Sequence, residues 1–312
     1  MVVLLVANAL PALSDPGLGD LLSTKFAGNL SAVAGDLGLL PAIWGTLEIT
    51  IIAIAIALPV SLAMAVVSSE FPMGPVGRIL RPLLGVLSGV PPIVYAVASV
   101  VLVTVFMVPK FAADSTFGTF QPAAIGANPA TWPPADVPFN AGAYPWDVTG
   151  GPNSTLLGGV VIALLLIQFL SAMIFDALQN VPSAAREASF AVGANRSHTL
   201  RKVILPMALP GIVAALSLAI LKALGDTLII GFAVGWEANS VPSPAFDVLE
   251  RTPSLAAEGA GLLGGFNAGG GCKIGAQCAT GYASGVLLLV LAMVLVLATT
   301  WIQNKLRARV KA

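Results

Sequence analysis

The chain has 312 residues, 57% of them hydrophobic and only 10% charged, with a mean hydropathy of +0.91. Soluble domains carry about 45–50% apolar and about 25% charged residues, so this composition excludes an ordinary soluble domain. Lys and Arg number 15, as do Asp and Glu, which leaves no basic surface for a nucleic-acid partner.

The opening MVVLLVANALPAL is apolar but about half the roughly 20 residues needed to cross a hydrocarbon core. It lacks the basic flank of a secretory signal, although Ala7-Asn8-Ala9 resembles a cleavage site. Residues 1–41 read as a truncated first membrane helix with an outer segment; a short interfacial segment is the alternative. Longer apolar runs follow at 42–67, 82–108, 156–175, 211–234 and 282–302. None alternates in the manner of a membrane β-barrel, and helices satisfy their own backbone groups in lipid. The expected fold class is an all-α polytopic membrane protein, with a transmembrane domain over 42–312.

Loop charge sets the orientation. One set of loops holds Arg78, Arg81, Arg186, Arg196, Arg201 and Lys202 and the tail Lys305, Arg307, Arg309 and Lys311. The opposite set holds only Lys25, Lys110, Arg251 and Lys273. The first set is therefore expected in the cytosol, including the loop at 176–210, and the long loops at 109–155 and 235–281 outside.

Near the outer end of the first full run, Glu48 reads as an interfacial carboxylate without a substrate role. In the second run, Pro91 and Pro92 follow Gly89 and should break the helix. Broken membrane helices are tolerated where they line a cavity, and helix N-termini favour anions; a packing kink is the alternative. Tyr95 reads as a pore-lining hydroxyl or a packed aromatic.

The first outer loop is dense in Pro, Gly and aromatic residues. The second carries GAGLLGGFNAGGGCKIGAQC, where no Lys-Ser or Lys-Thr closes a phosphate loop, so it is not a nucleotide site. Cys272 and Cys278, the only cysteines, are close enough in sequence to form a disulfide on the oxidising side. Two free thiols are the alternative, and no His or further Cys joins them as a metal pair.

The most charged stretch is REASFAVGANRSHTLRKVILPMALPG, from Arg186 to Gly211, with the single histidine His198. It reads as a helix-turn-helix. Ser183 is available as an N-cap, Gly193 permits a sharp exit, and Asn195 or Ser197 can cap a second helix that stops before Pro206. Such an element suits insertion into a groove on another protein, or rests on lipid headgroups. Further on, Lys222 and Asp226 are four residues apart, so on one helix they share a face and can pair. Each costs about 2.5–3.5 kcal/mol at mid-membrane. We favour a polar substrate pathway over a purely structural ion pair, with Lys222 as the cationic contact and Asp226 orienting it.

The segment EASFAVGANRSHTLRKVILP resembles the EAA loop of ABC-importer permeases: Glu-Ala-Ala, three residues, Gly, nine residues, Ile, one residue, Leu-Pro. Glu187, Ala188, Gly193, Leu205 and Pro206 match, while Ser189 and Val203 replace the family's Ala and Ile. In that family the loop forms the coupling helix that docks on the ATP-hydrolysing subunit. The segments LPAIWGTLEIT, SSEFP, LGVLSGVPPIVYA, DALQNVPSAAREAS and LKALGDT are similar, in order, to segments of phosphate-specific permeases of the Pst system, more of the C-type than of the A-type. There the corresponding stretches read ALP-I-GTL, LSE, AGIPSVVYG and RALGET, which puts Arg and Glu where this chain has Lys222 and Asp226.

The resemblance implies the ABC type I importer permease fold, a six-helix core whose first helix is truncated here. It further implies a phosphate importer of the plasma membrane, assembled with a second permease, two ATP-binding subunits and an extracytoplasmic phosphate-binding protein. No cofactor or metal is expected. The chain carries no Walker motif and no nucleophile constellation, so ATP hydrolysis is assigned to a partner and His198 to partner contact. A permease for another oxyanion, and an ATP-independent channel or membrane scaffold, are the alternative functions.

Overall fold

The computed structural model describes residues 2–12, 22, 38–70, 155–234, 252, 254–264 and 275–311, together with 74, 78, 82, 89–91, 93–95 and 98. The elements are α1 (Val2–Ala12), α2 (Leu40–Glu70), α3 (Thr155–Gln179), α4 (Ser183–Ala191) and α5 (Arg196–Thr199). A π-helical turn (Leu200–Ile204) then leads into α6 (Leu205–Gly225), followed by α7 (Thr227–Ala233), α8 (Leu255–Gly264) and α9 (Gly275–Lys311). Among the described residues, Leu40–Glu70, Thr155–Gln179, Arg196–Gly225 and Cys278–Leu306 are long and apolar enough to cross a membrane. The expected span at 82–108 and the outer loop at 109–155 lie almost wholly outside the described residues.

Lipid supplies no hydrophobic drive for helices to associate, so close packing falls to small residues. On α2 the buried positions Ala42, Thr46, Ile49, Ala53, Ala57, Ser61, Ala65 and Ser68 recur every three or four residues, mostly small. On α3 the fully buried Ile162, Leu166, Leu170, Ile174 and Leu178 repeat every four. Each stripe occupies one helical face.

The chain divides into two compact units. One comprises Met1–Ile52, Pro92–Ile162 and Leu224–Leu289. Its core gathers Ala9, Ala12, Leu39, Ala42, Leu255, Ala279 and Ala283. Two threonines hold the start of α8: Thr46 Oγ1 accepts from Leu255 N (2.9 Å), and Thr155 Oγ1 accepts from Thr252 N (3.1 Å). Ser254 Oγ caps the same helix by accepting from Ala257 N at 3.2 Å. The stretch 235–281, expected to lie outside, contains α8 and the beginning of α9. The glycines there serve close packing: a Cβ on Gly259 would stand 2.3 Å from Ser284 Oγ, and one on Gly281 2.9 Å from Leu263 Cγ.

The other unit comprises Ala53–Pro91, Ala163–Ala223 and Val290–Ala312. Ser61 Oγ donates to Ile167 O at 3.1 Å, tying α2 to α3. Gly211 lets α6 approach α3, since a Cβ there would lie 2.8 Å from Ala177 Cβ. This unit carries the charged stretch between α3 and α6.

Candidate functional site

The charged stretch folds as two short helices closed by one glycine. Gly193 has φ +84°, a conformation that an L side chain resists. Its N–H donates to Phe190 O (2.9 Å) and Ala194 N donates to Ser189 O (3.2 Å). These are the paired 5→2 and 6→1 bonds of a Schellman motif, which calls for glycine at the position after the C-cap. The following helix is capped by Asn195, whose side chain accepts from His198 N at 2.8 Å. Ser189 and Thr199 share a buried hydroxyl–hydroxyl bond of 2.9 Å. The serine that departs from the family's second alanine therefore staples the two helices together.

Two expectations about the ends of these helices are corrected. Pro182, in extended backbone, is the N-cap of α4 without a side-chain bond, and Ser183 is already helical. The second helix does not stop before Pro206: the chain is helical from Arg196 to Gly225. A proline lacks the N–H that an α-helical interior needs. Here Leu205 N bonds back five residues to Leu200 O in the widened turn, and Pro206 follows directly after that turn within the continuous helix.

Glu187, Ala188, Phe190, Val192, Gly193, His198 and Pro206 are exposed, while Leu205 is half-buried. Val192 is 85% exposed. The result is an outward-facing hairpin with an apolar tip and a rim of charge, continuous in helix with a membrane-crossing segment.

The inner residues are arranged differently from expectation. Lys222 is half-buried in the last turn of α6, with Nζ 5.7 Å from the centroid of the Phe169 ring. Asp226 is not on that helix. It is the N-cap of α7 (φ −82°, ψ 79°), and Oδ1 accepts from Ile229 N at 3.4 Å. Gly225 and Asp226 are weak helix formers, so the span read as continuous over 211–234 breaks here, and the two charges do not share a helical face. Each instead occupies the helix end whose dipole it complements, Lys222 a C-terminus and Asp226 an N-terminus.

Gly89 to Pro91 are non-helical and residues 93–95 are helical. Pro91 is exposed and Tyr95 half-buried; Pro92 lies outside the described residues. Glu48, read as an interfacial carboxylate, is buried against the protein at 4% exposure. Cys278 is disulfide-bonded, and Cys272 lies outside the described residues. No group of three or more His, Cys, Asp or Glu among the described residues could hold a metal ion.

The family described as binding-protein-dependent transport system inner membrane component matches residues 57–312. The chain belongs to that family. It is 26% identical over 210 residues to the probable ABC transporter permease protein YqgH of Bacillus subtilis, covering 67% of this chain and 56% of that protein. It is also 26% identical over 233 residues to the phosphate transport system permease protein PstC of Mesorhizobium japonicum, covering 74% and 64%. The chain thus spans less than two thirds of the length of these curated relatives. Among solved structures it resembles the MetNI methionine ABC transporter in inward-facing conformation. That match has a TM-score of 0.55 and 20% identity, with 86% of this chain and 95% of that chain covered. This likeness shows the fold: the all-α importer-permease architecture. As a member of this inner-membrane family with several membrane-crossing helices, the chain is a multi-pass protein of the plasma membrane.

Proposed function

We propose that this family member is the transmembrane permease subunit of an ATP-driven phosphate importer, of the C-type. The observation that carries the coupling half of this reading is the α4–α5 hairpin. Its Glu187, Ala188 and Gly193 stand at the EAA positions, its tip is exposed and apolar, and its second helix runs on into a membrane-crossing segment. A helix that inserts in a partner's groove and continues rigidly into the bilayer can carry the partner's movement inward. The cytosolic placement of the hairpin rests on the excess of Lys and Arg on its side.

In this reading ATP hydrolysis resides in two separate ATP-binding subunits, a second permease completes the pathway, and an extracytoplasmic binding protein delivers phosphate. The phosphate assignment is supported by the relatives and by Lys222, a half-buried cation held on an aromatic face within a membrane-crossing segment. Intramembrane cations usually face a polar pathway. Asp226 caps the next helix, α7, by accepting from Ile229 N. Cys272 is the proposed partner of Cys278; mass spectrometry of unreduced protein tests this, with two free thiols as the contrary result.

The test of the coupling role is co-purification with the ATPase followed by transport assays of Glu187→Ala and Gly193→Pro. Both variants are expected to insert in the membrane but to hydrolyse ATP without uptake. Normal uptake per ATP in both would remove the coupling role.

A further inference from the structure

Arg186 reaches away from the exposed tip of the hairpin, and its guanidinium joins three segments. Nη1 donates to Glu70 Oε1 at 2.6 Å, and Nη2 donates to Leu178 O at 2.7 Å. Glu70 is the last residue of α2, and Leu178 lies in the last turn of α3. Beside the pair, Ser69 Oγ donates to the same Glu70 oxygen at 3.0 Å and Gln179 Nε2 donates to Ser69 Oγ at 3.4 Å.

A carboxylate at a helix C-terminus is opposed by the helix dipole, so Glu70 is misplaced without a cation. Arg186 supplies one and also satisfies a terminal carbonyl of α3. Only a planar guanidinium can serve both acceptors at once through a fixed fork. The side chains of Arg186 and Glu70 are just 21% and 15% exposed, so water screens the pair far less than an ordinary surface salt bridge.

We propose that Arg186 is a positioning residue for transport: it clamps the coupling helix α4 to the ends of both α2 and α3. Movement imposed on the hairpin then reaches these two membrane helices directly, in addition to α6, which it reaches through continuous backbone. This inference rests on the coupling reading of the hairpin.

The test uses the complete importer, with its ATPase and binding protein, in vesicles, and measures inorganic phosphate taken up per ATP hydrolysed. Arg186→Ala and Glu70→Ala should still co-purify with the ATPase, yet lose about fivefold or more in this ratio. The double variant should fall no further than either single one, because both remove the same contact. Arg186→Lys should recover only part of the loss. A wild-type ratio in Arg186→Ala, or additive losses in the double variant, would overturn the clamp. Should the alanine variants fail to assemble, Arg186→Lys and Glu70→Gln decide the matter, and an unchanged ratio in both has the same consequence. Failure of the coupling reading shows separately, as an unchanged ratio in both Glu187→Ala and Gly193→Pro. A wild-type complex that takes up no phosphate overturns the substrate assignment and, with it, this use of the clamp.

Discussion

Gly193 is the residue on which the hairpin turns. A Cβ at this position would meet nothing within 4 Å, so substitutions there act through the backbone alone. Gly193→Ala forces an L side chain into the left-handed region at a cost of roughly 1–2 kcal/mol. Gly193→Asn should cost less, because its short polar side chain tolerates that region. Gly193→Pro should be worst: it cannot adopt positive φ, and it deletes the donor to Phe190 O. Uptake per ATP should therefore fall in the order Asn, Ala, Pro, and a flat series would contradict the Schellman closure. At Lys222 the prediction separates charge from packing. Lys222→Arg should retain uptake and Lys222→Ala should abolish it without preventing assembly. Normal uptake by assembled Lys222→Ala would leave Lys222 only its contact with Phe169.

At the scale of elements, the first turns of α3 come close to α2 at Gly159. A Cβ on Gly159 would stand 2.5 Å from Ile52 Cγ2 and 2.7 Å from Ile52 Cβ, both within one compact unit. Gly159→Ala should therefore lower thermal stability by about 1–3 kcal/mol, the usual range for overpacking. Ile52→Ala in the same chain should restore much of it by making room. Equal damage with and without Ile52→Ala would show that the helices do not approach there. Much of this architecture was legible in the sequence, because long apolar runs report membrane helices directly. The turn of the hairpin was legible too, since glycine and asparagine have a narrow range of helix-end roles, whereas the expected cap at Ser183 and stop before Pro206 did not form. What escaped was set by tertiary contact. GAGLLGG reads as a loop, but in α8 its Gly259 packs against α9. Lys222 and Asp226 read as an i,i+4 pair only while the helix is assumed continuous, and Gly225 and Asp226 end it. Glu70 and Arg186 lie more than a hundred residues apart in sequence, and no local pattern announces their bond.

For the molecule as a whole, family membership and fold agree with the composition of an α-helical membrane protein. Under the proposed function, the α4–α5 hairpin receives movement from the ATPase and an anion passes beside Lys222. A channel would instead pass phosphate without ATP, and a scaffold would pass none. The most direct measurement is uptake of labelled phosphate into vesicles holding this chain, the second permease and the ATPase, with binding protein outside and ATP within. The account predicts uptake that stops when ATP, the binding protein or this chain is left out. Phosphate flux that continues without ATP, or ATP-driven uptake of another solute that phosphate does not compete with, would contradict it.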